Sequence, residues 1–114
     1  MLVYSGATSV GQYAIQLAHF AGYRVITTTS LKNFELVKSL GADVVFDYHD
    51  QHLISKIREA TSDTLQYGFD TIAKEESQKI SVQAFGKNGG KLVVTLNVNK
   101  NAAELRQDVQ ICRE

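Results

Sequence analysis

Val3-Tyr4-Ser5-Gly6-Ala7-Thr8-Ser9-Val10-Gly11 is a short apolar run that breaks at a glycine-bearing turn and passes into helical periodicity. A strand that hands over to a helix in this way leaves the first amides of the helix without acceptors, beside the positive end of the helix dipole. That is an anion site in waiting. Gly6 permits a tight turn and Gly11 lets the helix pack closely, while Thr8 stands where the dinucleotide fingerprint G-x-G-x-x-G carries its middle glycine. A side chain there restricts backbone approach to a pyrophosphate, but the hydroxyls of Thr8 and Ser9 can donate to phosphate oxygens instead. The same residues also suit an ordinary strand-to-helix turn with Ser9 as N-cap.

What surrounds the turn decides the fold class. Short runs rich in β-branched and aromatic residues, at 2–4, 24–28, 44–47, 67–72 and 91–96, alternate with stretches of helical period. That is the pattern of a parallel sheet with crossover helices, so the class is α/β. Between the first two strands, Val10, Tyr13, Ala14, Leu17, Ala18 and Ala21 recur at helical spacing as one apolar face, predicted to pack inward, and Gly22 supplies a C-cap. Further helices are predicted over 32–40, with Phe34 and Val37 inward and Gly41 as its stop; over 52–61, with Leu53, Ile54 and Ile57; and over 75–85, with Ile80 and Ala84. After Leu96 the sequence turns polar. Residues 98–114 read as a tail, helical at most over 102–111, so the domain is predicted to be a doubly wound Rossmann-type sheet over 1–97, truncated at about five strands.

In such a sheet an NAD-selective site places an aspartate or glutamate at the end of the second strand. Here that place holds Thr27-Thr28-Thr29-Ser30, and the first acid, Glu35, falls inside the next helix. Ser30, Lys32 and Asn33 offer a cation and hydrogen-bond donors suited to a 2′-phosphate, which favours NADP(H) over NAD. Ser30 as a helix cap and Lys32 as a solvated first-turn lysine fit the same residues. Tyr48, just past the third strand, lies at the sheet edge where an adenine ring would project, and its ring suits a core position equally.

Composition sets outer limits. In 114 residues the 12 lysines and arginines equal the 12 aspartates and glutamates, which leaves no net field to draw nucleic acid or an anionic membrane. No apolar run approaches the roughly 18 residues of a membrane span, and the start shows neither signal-peptide nor transit-peptide character, so a cytoplasmic protein is expected. The single Cys112 and the histidines His19, His49 and His52 show no metal-ligand spacing, so no metal site is expected. Asp47 and Asp70 sit on strands with no histidine or second carboxylate placed to pair with them, and no catalytic residue is identified.

Five ordered stretches carry a family resemblance: 3–9, 24–30 (Arg-Val-Ile-Thr-Thr-Thr-Ser), 32–43 (Lys-Asn-Phe-Glu-Leu-Val-Lys-Ser-Leu-Gly-Ala-Asp), 46–48 (Phe-Asp-Tyr) and 89–94 (Gly-Gly-Lys-Leu-Val-Val). Together they resemble the fungal trans-acting enoyl reductases that partner polyketide synthases, among the zinc-independent medium-chain dehydrogenase/reductases, and more distantly the quinone oxidoreductases. The resemblance implies a Rossmann domain that binds NADPH, beside a separate N-terminal barrel-like domain that forms the other wall of the active-site cleft. It implies phosphate contacts at Ala7, Thr8, Ser9 and Val10, a 2′-phosphate clamp at Ser30, Leu31, Lys32 and Asn33, an adenosine contact at Tyr48, and a nicotinamide-side contact at Thr95 and Leu96. Ser5 stands where the fungal group commonly has glycine, and Leu31 where many relatives carry proline or a small residue. The activity implied is hydride transfer from NADPH to an activated carbon-carbon double bond, with an enoyl thioester, an acyl-thioester substrate, as the leading class; a quinone or enone reductase and a noncatalytic NADP-binding module or truncated product are the alternatives.

Overall fold

A computed structural model describes residues 1–113. The elements run β1 (Leu2–Tyr4), α1 (Ser9–Phe20), β2 (Ile26–Thr29), a 3-10 turn (Leu31–Asn33), α2 (Phe34–Ser39), β3 (Val44–Asp47), α3 (Leu53–Ala60), β4 (Tyr67–Asp70), α4 (Glu75–Ala84), β5 (Gly90–Val94), α5 (Lys100–Leu105) and β6 (Val109–Arg113). All strands are parallel, in the order β3-β2-β1-β4-β5-β6. This is the doubly wound arrangement, whose direction of progression reverses between β1 and β4.

Among the described residues the sheet has six strands where about five were expected. The described part of the stretch read as a polar tail, residues 98–113, supplies α5 and β6, and the helix expected over 102–111 stops at Leu105. Two local features explain the difference. From Val109 the buried and exposed positions begin to alternate as in a strand, and Val109 joins the main core. Arg106, just before it, donates to Phe85 O and Gly86 O, each at 2.7 Å, so the guanidinium satisfies carbonyls at the end of α4 and fixes the return of the chain.

The two faces of the sheet carry unequal layers. Leu2, Tyr4 and Ile26 point with Leu92 and Val94 into the larger cluster, beneath Leu53 and Ile57 of α3 and Val82 and Ala84 of α4. Val3 and Val25 point the other way, against Ile15 and Ala18 of α1 and Val37 of α2. The inward face of α1 therefore differs from the expected one: Gly11, Ile15 and Ala18 are buried, while Val10, Tyr13 and Leu17 are exposed. Apart from the polar side that carries Ser9, Gln12, Gln16 and His19, this helix is apolar, and periodicity alone does not say which apolar side faces the sheet. Gly11 settles the choice, because a Cβ there would lie 2.5 Å from Ser5 O and 2.9 Å from Gly6 Cα; a bare backbone lets this side of α1 rest on the turn. The second helix is divided into a 3-10 turn and α2, with Val37 buried and Gly41 in the left-handed region (φ 119°) at its end.

Candidate functional site

Because all six strands are parallel, the ends of β1 to β5 bring Ser5, Ser30, Tyr48, Thr71 and Thr95 to one edge of the sheet. The turn after β1 sits in its middle. Its conformation is not the one the glycine pattern suggests: Ser5 takes the left-handed backbone (φ 63°), whereas Gly6 is not in that region. Gly6 is required for space, since a Cβ on it would collide with the Thr27 hydroxyl and lie 2.6 Å from Ile15 Cδ1. Ser5 is held through its backbone, its amide donating to Thr28 Oγ1 at 2.9 Å.

Thr8, not Ser9, is the N-cap of α1. Its Oγ1 accepts from the Gly11 amide at 3.0 Å and lies 3.1 Å from Ser5 O and 3.0 Å from Thr71 Oγ1. A hydroxyl has one proton, and in this arrangement that of Thr8 is within reach of acceptors of the protein itself. Thr71 Oγ1 is in turn within 3.0 Å of Tyr4 O, and Thr95 Oγ1 donates to Thr71 O at 3.3 Å. Three threonines thus stitch the ends of β4 and β5 to the turn. The hydroxyl of Ser9 and the amides of Ala7, Ser9 and Val10 have no acceptor among the described residues. These are the groups that remain for an anion, and with the bare backbone at Gly6 and Gly11 they suit a pyrophosphate.

On one side of the turn, the end of β2 carries no carboxylate. Asn33 Nδ2 donates to Ser30 Oγ at 3.2 Å, which leaves the serine proton available, and Lys32 is exposed with no ion pair among the described residues. Leu31 is exposed between them. On the other side, a cleft of about 370 Å³ is lined by Tyr4, Ser5, Tyr48, His49, Lys74 and Glu76, among others. Tyr48 is a cleft residue rather than a core one: it is 37% exposed, its amide donates to Thr29 O at 3.2 Å, and its ring lies 4.3 Å from that of His49. Val10 directs its side chain elsewhere, into an apolar groove beside α1. Leu96 is exposed and lies past the end of β5.

Tyr4 and the residues after Asp70 were not singled out from sequence. Burial raises the Tyr4 phenol to about 12, assisted by the negative charges of Asp70 and Glu76, so it stays protonated at neutral pH. Asp70 is buried and accepts from the amides of Ile72 (2.9 Å) and Ala73 (3.0 Å) and from Ser77 Oγ (2.7 Å). Burial pushes its carboxyl up, and those three donors oppose the shift. The strand order was the available signal: once β4 is placed beside β1, whatever follows Asp70 must border the turn.

Among the described residues, no three His, Cys, Asp or Glu side chains are grouped to hold a metal, and no helix is long and apolar enough to cross a membrane. The family model that matches residues 9–113 is described as zinc-binding dehydrogenase. The chain is 44% identical over 113 residues to a zinc-type alcohol dehydrogenase-like protein of Schizosaccharomyces pombe, covering 97% of this chain and 32% of that protein. It is 42% identical over 110 residues to the trans-enoyl reductase eqxC of Fusarium heterosporum, covering 96% of this chain and 31% of that one. Among solved structures, CurK enoyl reductase superposes with a TM-score of 0.84 at 22% identity, over 99% of this chain and 35% of that chain. The chain therefore spans about a third of the length of these relatives.

Proposed function

The chain belongs to the zinc-binding dehydrogenase family, and on that premise we propose that it forms the NADP(H)-binding wall of an enoyl reductase-like oxidoreductase. The observation that carries the cofactor choice is the end of β2, where Ser30, Lys32 and Asn33 stand in place of the acid that would bind a ribose 2′-hydroxyl.

The amides of Ala7, Ser9 and Val10, with the Ser9 hydroxyl, hold the pyrophosphate, and Thr8 serves by fixing the first turn of α1. Ser30 and Lys32 meet the 2′-phosphate, with Asn33 orienting Ser30 and Leu31 keeping the turn's path. Tyr48 faces the adenosine. Thr95 and Leu96 border the nicotinamide side, Thr95 anchored to the end of β4. When bound, the cofactor supplies a hydride for an activated carbon-carbon double bond; the protein's part is orientation. The substrate class is an enoyl thioester, delivered by a polyketide synthase as in the fungal group this chain resembles. The described residues do not fit a zinc site, although the family's description names that metal.

Calorimetric titration with NADP⁺ and NAD⁺ tests the reading. Tighter binding of NADP⁺ is expected, and Lys32→Ala weakens NADP⁺ alone by roughly 1.5–3 kcal/mol, the range for a charge-assisted bond. Equal affinity for the two cofactors overturns it.

A further inference from the structure

Gln78, in the first turn of α4, is fully buried although its side chain is polar. A buried amide is costly unless its donors and acceptor are matched, and here the match is close. Nε2 donates to Ala73 O at 3.1 Å and to Asn97 O at 3.0 Å, and Oε1 accepts from the Asn99 amide at 2.8 Å. These partners fix which way the amide faces, since a carbonyl only accepts and a backbone N–H only donates. If packing were all that this position supplied, an aliphatic side chain would fill it with no polar group to satisfy.

The backbone groups that Gln78 binds belong to two different loops. Ala73 follows β4, between Ile72 and Lys74 of the cleft that Tyr48 lines. Asn97 and Asn99 follow β5, just beyond Thr95 and Leu96. The loops depend on Gln78 unequally. The first is held independently by Asp70, which accepts from the amides of Ile72 and Ala73, and by Ser77 Oγ, which accepts from the Lys74 amide at 3.0 Å. For the second, the other side-chain bonds that reach residues 95–98 among the described residues are weaker ones. Thr95 Oγ1 donates to Thr71 O at 3.3 Å, and Arg113 donates to Asn97 Oδ1 at 3.2 Å on the exposed surface.

We infer that Gln78 is a positioning residue for the nicotinamide half of the cofactor. It ties the loop that carries Thr95, Leu96 and Asn97 to the well-anchored loop after β4, and so sets where the first of these meets the nicotinamide ring. The inference rests on the reading of this chain as an NADP(H)-binding wall with Thr95 and Leu96 on the nicotinamide side. Gln78 acts from behind both loops, through Asn97 and Asn99. Its loss leaves the turn after β1 and the end of β2 as they are, and with them the grip on the pyrophosphate and the 2′-phosphate.

Calorimetric titration of the 114-residue chain with NADP⁺ and with adenosine 2′,5′-bisphosphate, which lacks the nicotinamide half, tests this. Gln78→Met keeps the volume and removes the bonds to both loops. In it NADP⁺ is expected to bind about three- to tenfold more weakly, and the bisphosphate as in the wild type. Val82→Ala, one turn further along α4 and also fully buried, lowers the urea midpoint by opening a cavity but leaves the ratio of the two affinities unchanged. That control separates positioning from loss of stability. A second readout needs no variant: hydrogen exchange at the Asn99 amide, the donor to Gln78, slows by at least about threefold when NADP⁺ saturates the site and does not slow with the bisphosphate. Equal weakening of both ligands in Gln78→Met, or no weakening of either, overturns the inference, as does exchange at Asn99 that both ligands slow alike or neither slows. A wild-type chain that fails to bind the bisphosphate overturns the cofactor reading itself, and this inference with it.

Discussion

The hydroxyls of Thr8 and Thr71 lie 3.0 Å apart across the junction of β1 and β4, 63 residues apart in the chain. The contact joins the first turn of α1 to the strand at which the sheet changes direction. It also accounts for how a turn lacking the middle glycine of the fingerprint is held in place: the threonine works inward, on the protein, and the helix amides are left to face outward.

Thr8→Ala removes both the cap on Gly11 and the bond across to Thr71, and is expected to cost about 1 kcal/mol of stability, within the usual range for a lost cap. Thr71→Val removes the lateral bond together with the contacts of the Thr71 hydroxyl to Tyr4 O and Ser5 O. The two substitutions together should show a coupling of about 1 kcal/mol in a double-mutant cycle read by urea unfolding. Additive effects would mean that the two hydroxyls do not interact. Thr8→Ser retains both bonds and should bind NADP⁺ and NAD⁺ as the wild type does.

Asp70 makes stability depend on pH in an unusual direction for a carboxylate. Its folded-state carboxyl lies above the ordinary value because burial outweighs its donors. The native state therefore takes up this proton more readily than the unfolded chain. The stability it confers is fully present below the unfolded value of about 3.9 and is lost as pH rises through the folded one. The carboxylates of Asp50, Glu75 and Asp108 are shifted down by Lys56, by Asn101 and Lys79, and by Arg106, and act in the opposite sense. Asp70→Asn isolates the buried group, since an amide oxygen can accept from Ile72 and Ala73 while the amide nitrogen donates to Ser77. Urea unfolding at a series of pH values should show the variant gaining on the wild type as pH rises from 4 towards neutrality. A constant difference between the two would mean that Asp70 titrates alike in both states.

Much of this arrangement was legible in the residues. The turn at Gly6, the strands β1 and β3, the placement of α1 and the acid-free end of β2 follow from period, glycine position and residue type. Other features were not legible, for definite reasons. Helix α1 is apolar on two sides, and only the close approach at Gly11 selects which one faces the sheet. Strand β6 has a short alternation that leaves Ile111 and Cys112 only half buried, and it is fixed by the long-range grip of Arg106 on the end of α4. Tyr4, Lys74 and Glu76 come to the cleft because β4 lies beside β1, a relation that no local window contains.

The turn after β1 also separates two uses of glycine that the motif conflates. Ser5 occupies the left-handed region, which costs an L-residue about 1–2 kcal/mol, and its interactions with Thr28, Thr8 and Thr71 run through its backbone. Ser5→Gly keeps all of them and relieves the strain, but loses about 0.5–1 kcal/mol to the greater freedom of the unfolded chain. The expected result is a gain of up to about 1 kcal/mol, read from the urea midpoint. Ser5→Val, β-branched in the same conformation, should lose at least 1 kcal/mol, by roughly the same strain in reverse. At Gly6 the sense is opposite. Alanine there suits the backbone but drives its Cβ into the Thr27 hydroxyl and Ile15, both fully buried, so Gly6→Ala should destabilise by about 1–3 kcal/mol, as overpacking does. If Ser5→Gly proved the damaging change and Gly6→Ala the neutral one, the strained residue of the turn would be Gly6, and the assignment of the left-handed position to Ser5 would fail.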